Sequence, residues 1–250
     1  MRVVRRGFNP SEERLNRQRA LLLALSDDLA LPFLQVKSSI EVAGNENYSG
    51  ATMLEQAKNI HLSSEAGLLL VEAYRMLLKS DQILLEAFEP VAIGAVLEEV
   101  AHRLSDYAKE YGVQIQVDVQ GRFAPILAHT ASLELAIEVL SASIIRAQAS
   151  QNSGKAARIV LGAHKSSEGL LAAGVFSDVR GLSDKSLRAA RSLLGRAHQP
   201  LPHVPPGSAS GILVADMLCE SLWQPLRKSA HRSMDGLATN LPISKQLEFI

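Results

Sequence analysis

The chain holds one cysteine, no excess of either charge and no long apolar run, and each shortage removes a class of protein. A single cysteine, Cys219, rules out an internal disulfide framework and fits a reducing compartment. It lies in an apolar helical run, so it reads as a buried structural side chain rather than a reactive thiol. Lys and Arg together number 26, as do Asp and Glu. With no net charge there is no global electrostatic case for nucleic acid. The Arg-rich start (Arg2, Arg5, Arg6, Arg14, Arg17 and Arg19), interrupted by Glu12 and Glu13, reads as a solvated helix face. No apolar run reaches the roughly 18–20 residues of a membrane span; Leu21, Leu22 and Leu23 are soon followed by Ser26, Asp27 and Asp28. The basic first residues lack the apolar segment of a secretory leader. The expectation is a soluble, cytoplasmic chain with no membrane span and no nucleic-acid partner.

What is present is an ordinary globular composition. At 47% hydrophobic residues, the 250-residue chain can bury a sizeable core in one large or two modest domains. Asn9-Pro10-Ser11-Glu12-Glu13 is a helix start, with Ser11 as cap and the glutamates at the positive helix end. Leu15, Leu22, Leu25, Leu29, Phe33, Val36 and Ile40 then form one stripe of a helix over about 11–42, with Pro32 expected to kink it. The Gly- and Asn-rich stretch 44–50 breaks the pattern. A second helix is predicted over about 52–88, with Leu62, Leu69, Ala73, Leu77 and Leu84 on one face. Such a hairpin exposes too wide an apolar surface to be stable alone, which predicts a homodimer, paired as a four-helix bundle.

Glu89-Pro90 opens a second unit. Its expected elements are a strand at 91–93, a helix at 95–111 closed by Gly112, and an alternating strand at 113–119. A short strand at 125–128, a helix at 132–147, a polar loop at 148–155 and strands at 157–163 and 170–176 follow. Then come a helix at 183–196, a proline-rich loop at 198–206, a helix at 208–222 and weaker strands at 226–230 and 237–241. This order reads as α+β: a long antiparallel hairpin, then an α/β sandwich with helices on one face of a mixed sheet. The domain division is a tail 1–10, a hairpin 11–88 and a sandwich domain 89–250.

The segment Ser26-Asp27-Asp28-Leu29-Ala30-Leu31-Pro32-Phe33 resembles the phosphoacceptor box of sensor histidine kinases, Ser-His-Glu-Leu-Arg-Thr-Pro-Leu, with Asp27 in place of the histidine. The later order of elements is similar to that family's ATP-binding domain, the fold shared with gyrase, Hsp90 and MutL. The resemblance covers nearly the whole chain, and it implies a set of chemical positions that are altered here. Phosphoryl transfer to histidine needs an imidazole nitrogen, which Asp27 does not supply; Asp27 and Asp28 read as a solvated acidic face. The Asn-x-x-x-Asn pair that helps hold Mg²⁺ falls on Val139 and Ser143, and Arg146 matches the usual Lys. The Asp-x-Gly-x-Gly element that reads adenine falls at Ser177 or Asp178, with Gly181 matching under either alignment. The Gly-rich helix start that holds phosphate corresponds to Gly207 and Gly211, with Ala209 replacing the middle glycine.

From this resemblance we expect a non-catalytic histidine-kinase-like signalling protein, a dimeric scaffold or adaptor whose partner is a response regulator or another histidine kinase. With about ten residues ahead of the first helix, its signal is expected to come from another protein. No catalytic residue, metal or resident cofactor is expected; weak ATP or ADP binding through Ser143, Ser177, Asp178, Gly181, Gly207 and Gly211 stays open, with Mg²⁺ binding the function most clearly lost. Two alternatives stand beside it. One is a histidine phosphotransferase, for which His61 on the second helix is the available nucleophile. The other is a nucleotide-binding switch.

Overall fold

A computed structural model describes residues 10–44, 50–83, 88–151, 157–166, 169–191, 201 and 203–243. Two helices of equal length lead the chain, α1 (Pro10–Ala43) and α2 (Gly50–Ile83), packed along each other as a hairpin. α1 runs through Pro32 without interruption. The two helices face each other and the second unit with Leu21, Ala24, Leu62, Ala66, Leu70, Ala73 and Leu77, all buried. The opposite faces stay apolar but open. Leu15, Leu22, Phe33 and Ile40 recur along α1, and Met53, Leu68 and Val71 along α2, all exposed. The stripe legible in the sequence of α1 is therefore mostly the outward one.

The second unit begins with β1 (Glu89–Val91), paired antiparallel with β3 (Ile126–Ala128). The expected strand at 91–93 is shifted by two residues, because Ile93 already opens α3 (Ile93–Arg103) and buries its side chain in the core. The single helix expected at 95–111 is two, α3 and α4 (Ser105–Glu110), separated at the buried Leu104. Gly112, at φ +66°, closes α4 as expected, its N–H donating to the Lys109 carbonyl over 3.0 Å.

The main sheet has five strands in the order β2-β4-β5-β7-β6. These are β2 (Val113–Val119), β4 (Ala157–Lys165), β5 (Leu171–Ser177), β6 (Arg227–His231) and β7 (Met234–Leu241). β2 lies parallel to β4, and every other pair is antiparallel. One face of the sheet carries Ile159, Leu161, Ala163, Leu171, Ala173, Val175, Leu237 and Leu241 into the main core. The helices α3, α4 and α5 (Thr130–Gln151) cover that face. α5 extends through residues expected as loop, and residues 152–155 of that loop lie outside the described set. The chain ends with α6 (Asp184–Arg191), α7 (Pro206–Leu222) and the β6–β7 hairpin. The rest of the helix expected at 183–196 and residues 198–200 and 202 of the proline-rich loop lie outside the described residues. α7 packs along α5 and also meets α2 and α1, so it stands between the sandwich and the hairpin. Among the described residues, no helix is long and apolar enough to cross a membrane.

Candidate functional site

Of the positions that the sequence singles out, Asp28, Ser143, Arg146, Gly207 and Gly211 gather around α7. Asp27 and Asp28 are neighbours in α1, and a helix turns about 100° per residue, so they part company. Asp27 is exposed, whereas Asp28 is 8% exposed and turned inward. The solvated acidic face expected of this pair is therefore correct for Asp27 and wrong for Asp28. Tyr74 of α2 donates its hydroxyl proton to Asp28 Oδ2 over 2.6 Å, and Ser210 of α7 donates to Asp28 Oδ1 over 2.6 Å. One carboxylate thus joins both hairpin helices to the helix that follows the Gly-rich start. Burial, and then the adjoining negative charge of Asp28, pushes the Tyr74 phenol far above its ordinary value, so it remains a proton donor throughout the physiological range.

The opposite side of α7 meets α5. Val139 is buried and offers no ligand atom. Ser143 is fully buried, and its hydroxyl donates to the Val139 carbonyl over 2.8 Å. A Cβ added at Gly211 would stand 2.0 Å from Ser143 Oγ and 3.2 Å from its Cβ. The two positions where the family has paired asparagines and a phosphate-facing glycine are thus pressed together, side chain against backbone. Arg146 lies one turn further along α5. It donates to Tyr107 Oη (2.8 Å), to the Gly207 carbonyl (3.1 Å) and to Ser143 Oγ (3.3 Å). A valine and an inward-bonded serine are not a donor set for Mg²⁺, which asks for oxygen ligands in octahedral geometry. Among the described residues no group of three or more His, Cys, Asp or Glu side chains is placed to hold a metal ion.

The turn that the resemblance aligns with an adenine-reading element sits at the end of β5. Ser177 is 2% exposed and follows Leu171, Ala173 and Val175 onto the helix-covered face; its Oγ accepts the Val179 N–H over 3.3 Å. Asp178 is exposed, and Gly181 takes φ +92°. Gln151, at the end of α5, accepts the Arg180 N–H over 2.9 Å and donates to the His203 carbonyl over 2.7 Å. This links the turn to the segment ahead of α7. His61 is exposed on α2, apart from these contacts.

Two groupings escaped sequence reasoning. The first is the Tyr74–Asp28–Ser210 junction, whose members are 46 and 182 residues apart and share no motif. The second lies on the open face of the sheet. There His231 Nε2 and Asp118 Oδ2 are 2.7 Å apart, the Nδ1 atoms of His231 and His164 are 3.1 Å apart, and Ser229 Oγ lies 3.3 Å from His164 Nε2. Burial, then the neighbouring His231, lowers the pKa of His164. Burial acts to raise Asp118, but the His231 hydrogen bond and the Arg232 charge outweigh it and hold the carboxyl below its ordinary value. Only alternation within the strands could have signalled that these residues share a face.

No protein-family model matches the chain, and no curated protein is significantly similar to it. Solved structures do match. The Acinetobacter baumannii histidine kinase AdeS aligns with 87% of this chain and 98% of its own, at 14% identity and a TM-score of 0.53. The histidine kinase ThkA, solved in complex with response regulator protein TrrA, aligns with 96% of this chain and 66% of its own, at 9% identity and 0.55. Full-length ShkA in complex with AMPPNP aligns with 93% of this chain and 46% of its own, at 14% identity and 0.50. At such identities the likeness concerns shape alone, and the chain has a histidine-kinase-like fold: a helical hairpin followed by a mixed-sheet domain of the kind found in histidine kinases.

Proposed function

We propose that this chain is a non-catalytic, histidine-kinase-like signalling protein, a dimeric scaffold or adaptor in two-component-type signalling. The observation that carries the reading is that Val139, which offers no ligand atom, and Ser143, bonded to the Val139 carbonyl and packed on Gly211, stand where the resemblance aligns the metal-holding asparagines. Asp27, at the phosphoacceptor position, supplies no imidazole to receive a phosphoryl group. Val139 and the inward-bonded Ser143 do not fit Mg²⁺.

The dimer reading is supported by the open apolar stripes of α1 and α2. Phe33 at 66% exposure and Leu54 at 75% are large apolar side chains left in water by a single chain. A second hairpin laid on these stripes buries them in a four-helix bundle. The partner we favour is a response regulator or an active histidine kinase, engaged on the hairpin near exposed Asp27.

The test is phosphoryl transfer. Purified protein incubated with radiolabelled ATP and Mg²⁺, and separately with a phosphorylated receiver domain, acquires no label. The Asp27→His variant acquires none from ATP either, because Val139 and Ser143 are unchanged. Label from ATP on the unaltered chain would overturn the reading. One observation favours a second reading: His61 is exposed on the hairpin. Label passing from the receiver to His61, and lost in His61→Gln, would establish a phosphotransferase instead.

A further inference from the structure

Between the hairpin and the first turn of α7 lies a cavity of about 350 Å³. That is the lower part of the roughly 300–1,000 Å³ typical of small-molecule pockets. Leu31, Pro32, Leu62, Ala66 and Leu70 of the hairpin give it an apolar wall. Its other wall is polar, and three features there point to the same ligand chemistry.

Ser208 lines the cavity, is 1% exposed, and its Oγ has no hydrogen-bond partner. A buried hydroxyl left in this way is costly in a folded chain. Arg146 lines the cavity as well, half-buried, and the three acceptors of its hydrogen bonds are neutral: a phenol, a serine hydroxyl and a backbone carbonyl. A guanidinium withdrawn from water without a carboxylate is under-compensated. The third feature is the start of α7, a 17-residue helix opening at Pro206, whose second and third residues, Gly207 and Ser208, line the same space. A helix start carries partial positive charge.

We propose that this cavity binds a small organic monocarboxylate. The carboxylate sits at the Arg146 and Ser208 end, accepting charge-assisted hydrogen bonds from both. The apolar body lies against Leu31, Leu62 and Leu70. Asp28 also lines the cavity, with its two oxygens already accepting the Tyr74 and Ser210 protons. Its negative charge disfavours dianions and polyphosphates in the cavity. None of Ser177, Asp178 or Gly181 lines the cavity, so the site is distinct from the adenine-reading turn. Because its two walls come from the hairpin and from α5 and α7, an occupant holds the hairpin against the sandwich.

The experiment is calorimetric titration of the full chain with phenylacetate and 4-methylvalerate, and with the neutral phenylacetamide as control. The acids bind with a Kd on the order of 0.1–1 mM, and the amide at least about tenfold more weakly. Arg146→Met weakens the acids by about tenfold or more, Ser208→Ala by severalfold, and Ala66→Leu abolishes binding by filling the apolar wall. Each variant is first checked for native circular dichroism, and Ser208→Ala, a small change, carries the test where Arg146→Met fails to fold. The proposal is overturned by an amide that binds as well as the acid, by acids that do not bind at about 10 mM, or by variants of native fold that keep full affinity. It is also overturned if ATP displaces the acids with higher affinity. None of these outcomes depends on whether the chain dimerises or transfers phosphate.

Discussion

Asp27 and Asp28 differ by one position and carry the same side chain, yet only Asp28 is part of the fold's framework. Asp28→Ala leaves the Tyr74 and Ser210 hydroxyls without their shared acceptor and costs about 2–3 kcal/mol. Asp27→Ala changes stability by no more than about 0.5 kcal/mol. Urea denaturation of the two variants separates them. The contact between Ser143 and Gly211 makes a second prediction. Gly211→Ala forces α5 and α7 apart and destabilises by about 1–3 kcal/mol. Ser143→Ala in the same chain removes the oxygen that stands 2.0 Å from the new methyl and recovers part of that loss. A double-mutant cycle with no coupling between these positions would contradict the packing described here. On the open sheet face, the pKa of His164 is lowered by burial, so the folded state disfavours its protonation. The unfolded chain then binds more protons below the ordinary histidine value of about 6.5, and stability falls as pH drops through that range. The lowered Asp118 adds a further loss below the ordinary aspartate value of about 3.9. Denaturation midpoints measured from pH 8 to pH 5 fall for the native chain and fall less for His164→Leu.

Among the elements, α6 is held by Leu187, fully buried in the core, and by a polar cluster at its end. Arg191 donates from Nε and Nη2 to both oxygens of the fully buried Asp216 in α7, and from Nη2 to the Leu226 carbonyl ahead of β6. Asp216 also accepts the Leu226 N–H over 2.8 Å. Removing the carboxylate in Asp216→Ala orphans a guanidinium and a backbone amide together and costs about 3 kcal/mol, read from thermal or urea unfolding. Elements were legible in the sequence where one local rule governed them. The alternation of Val113, Ile115 and Val117 gave β2 its observed bounds, and Gly112 marked the end of α4. The hairpin was legible because its periodicity persists over two 34-residue helices. The break at Leu104 and the early start of α3 at Ile93 were not legible, because both serve core contacts with distant residues. The same applies to the site. Motif comparison located Ser143, Ser177, Gly207 and Gly211, but nothing in their spacing shows that Ser143 packs on a glycine 68 positions later. Nor could it show that Asp28 would be claimed by Tyr74 and Ser210.

At the scale of the whole molecule, α7 is the part that decides the reading. One side of it is packed against α5, with Gly211 on Ser143. The other side is joined to the hairpin through Asp28. The hairpin leaves its remaining apolar stripes exposed, the surface on which we propose a second copy docks. The central claim is a dimer that has lost nucleotide binding, and it is tested most directly by titrating ATP and ADP, with and without Mg²⁺, into protein whose mass is measured by light scattering. The account predicts the mass of two chains and no heat of binding with either nucleotide. Micromolar ATP binding that strengthens with Mg²⁺ would contradict it and restore a nucleotide-dependent function.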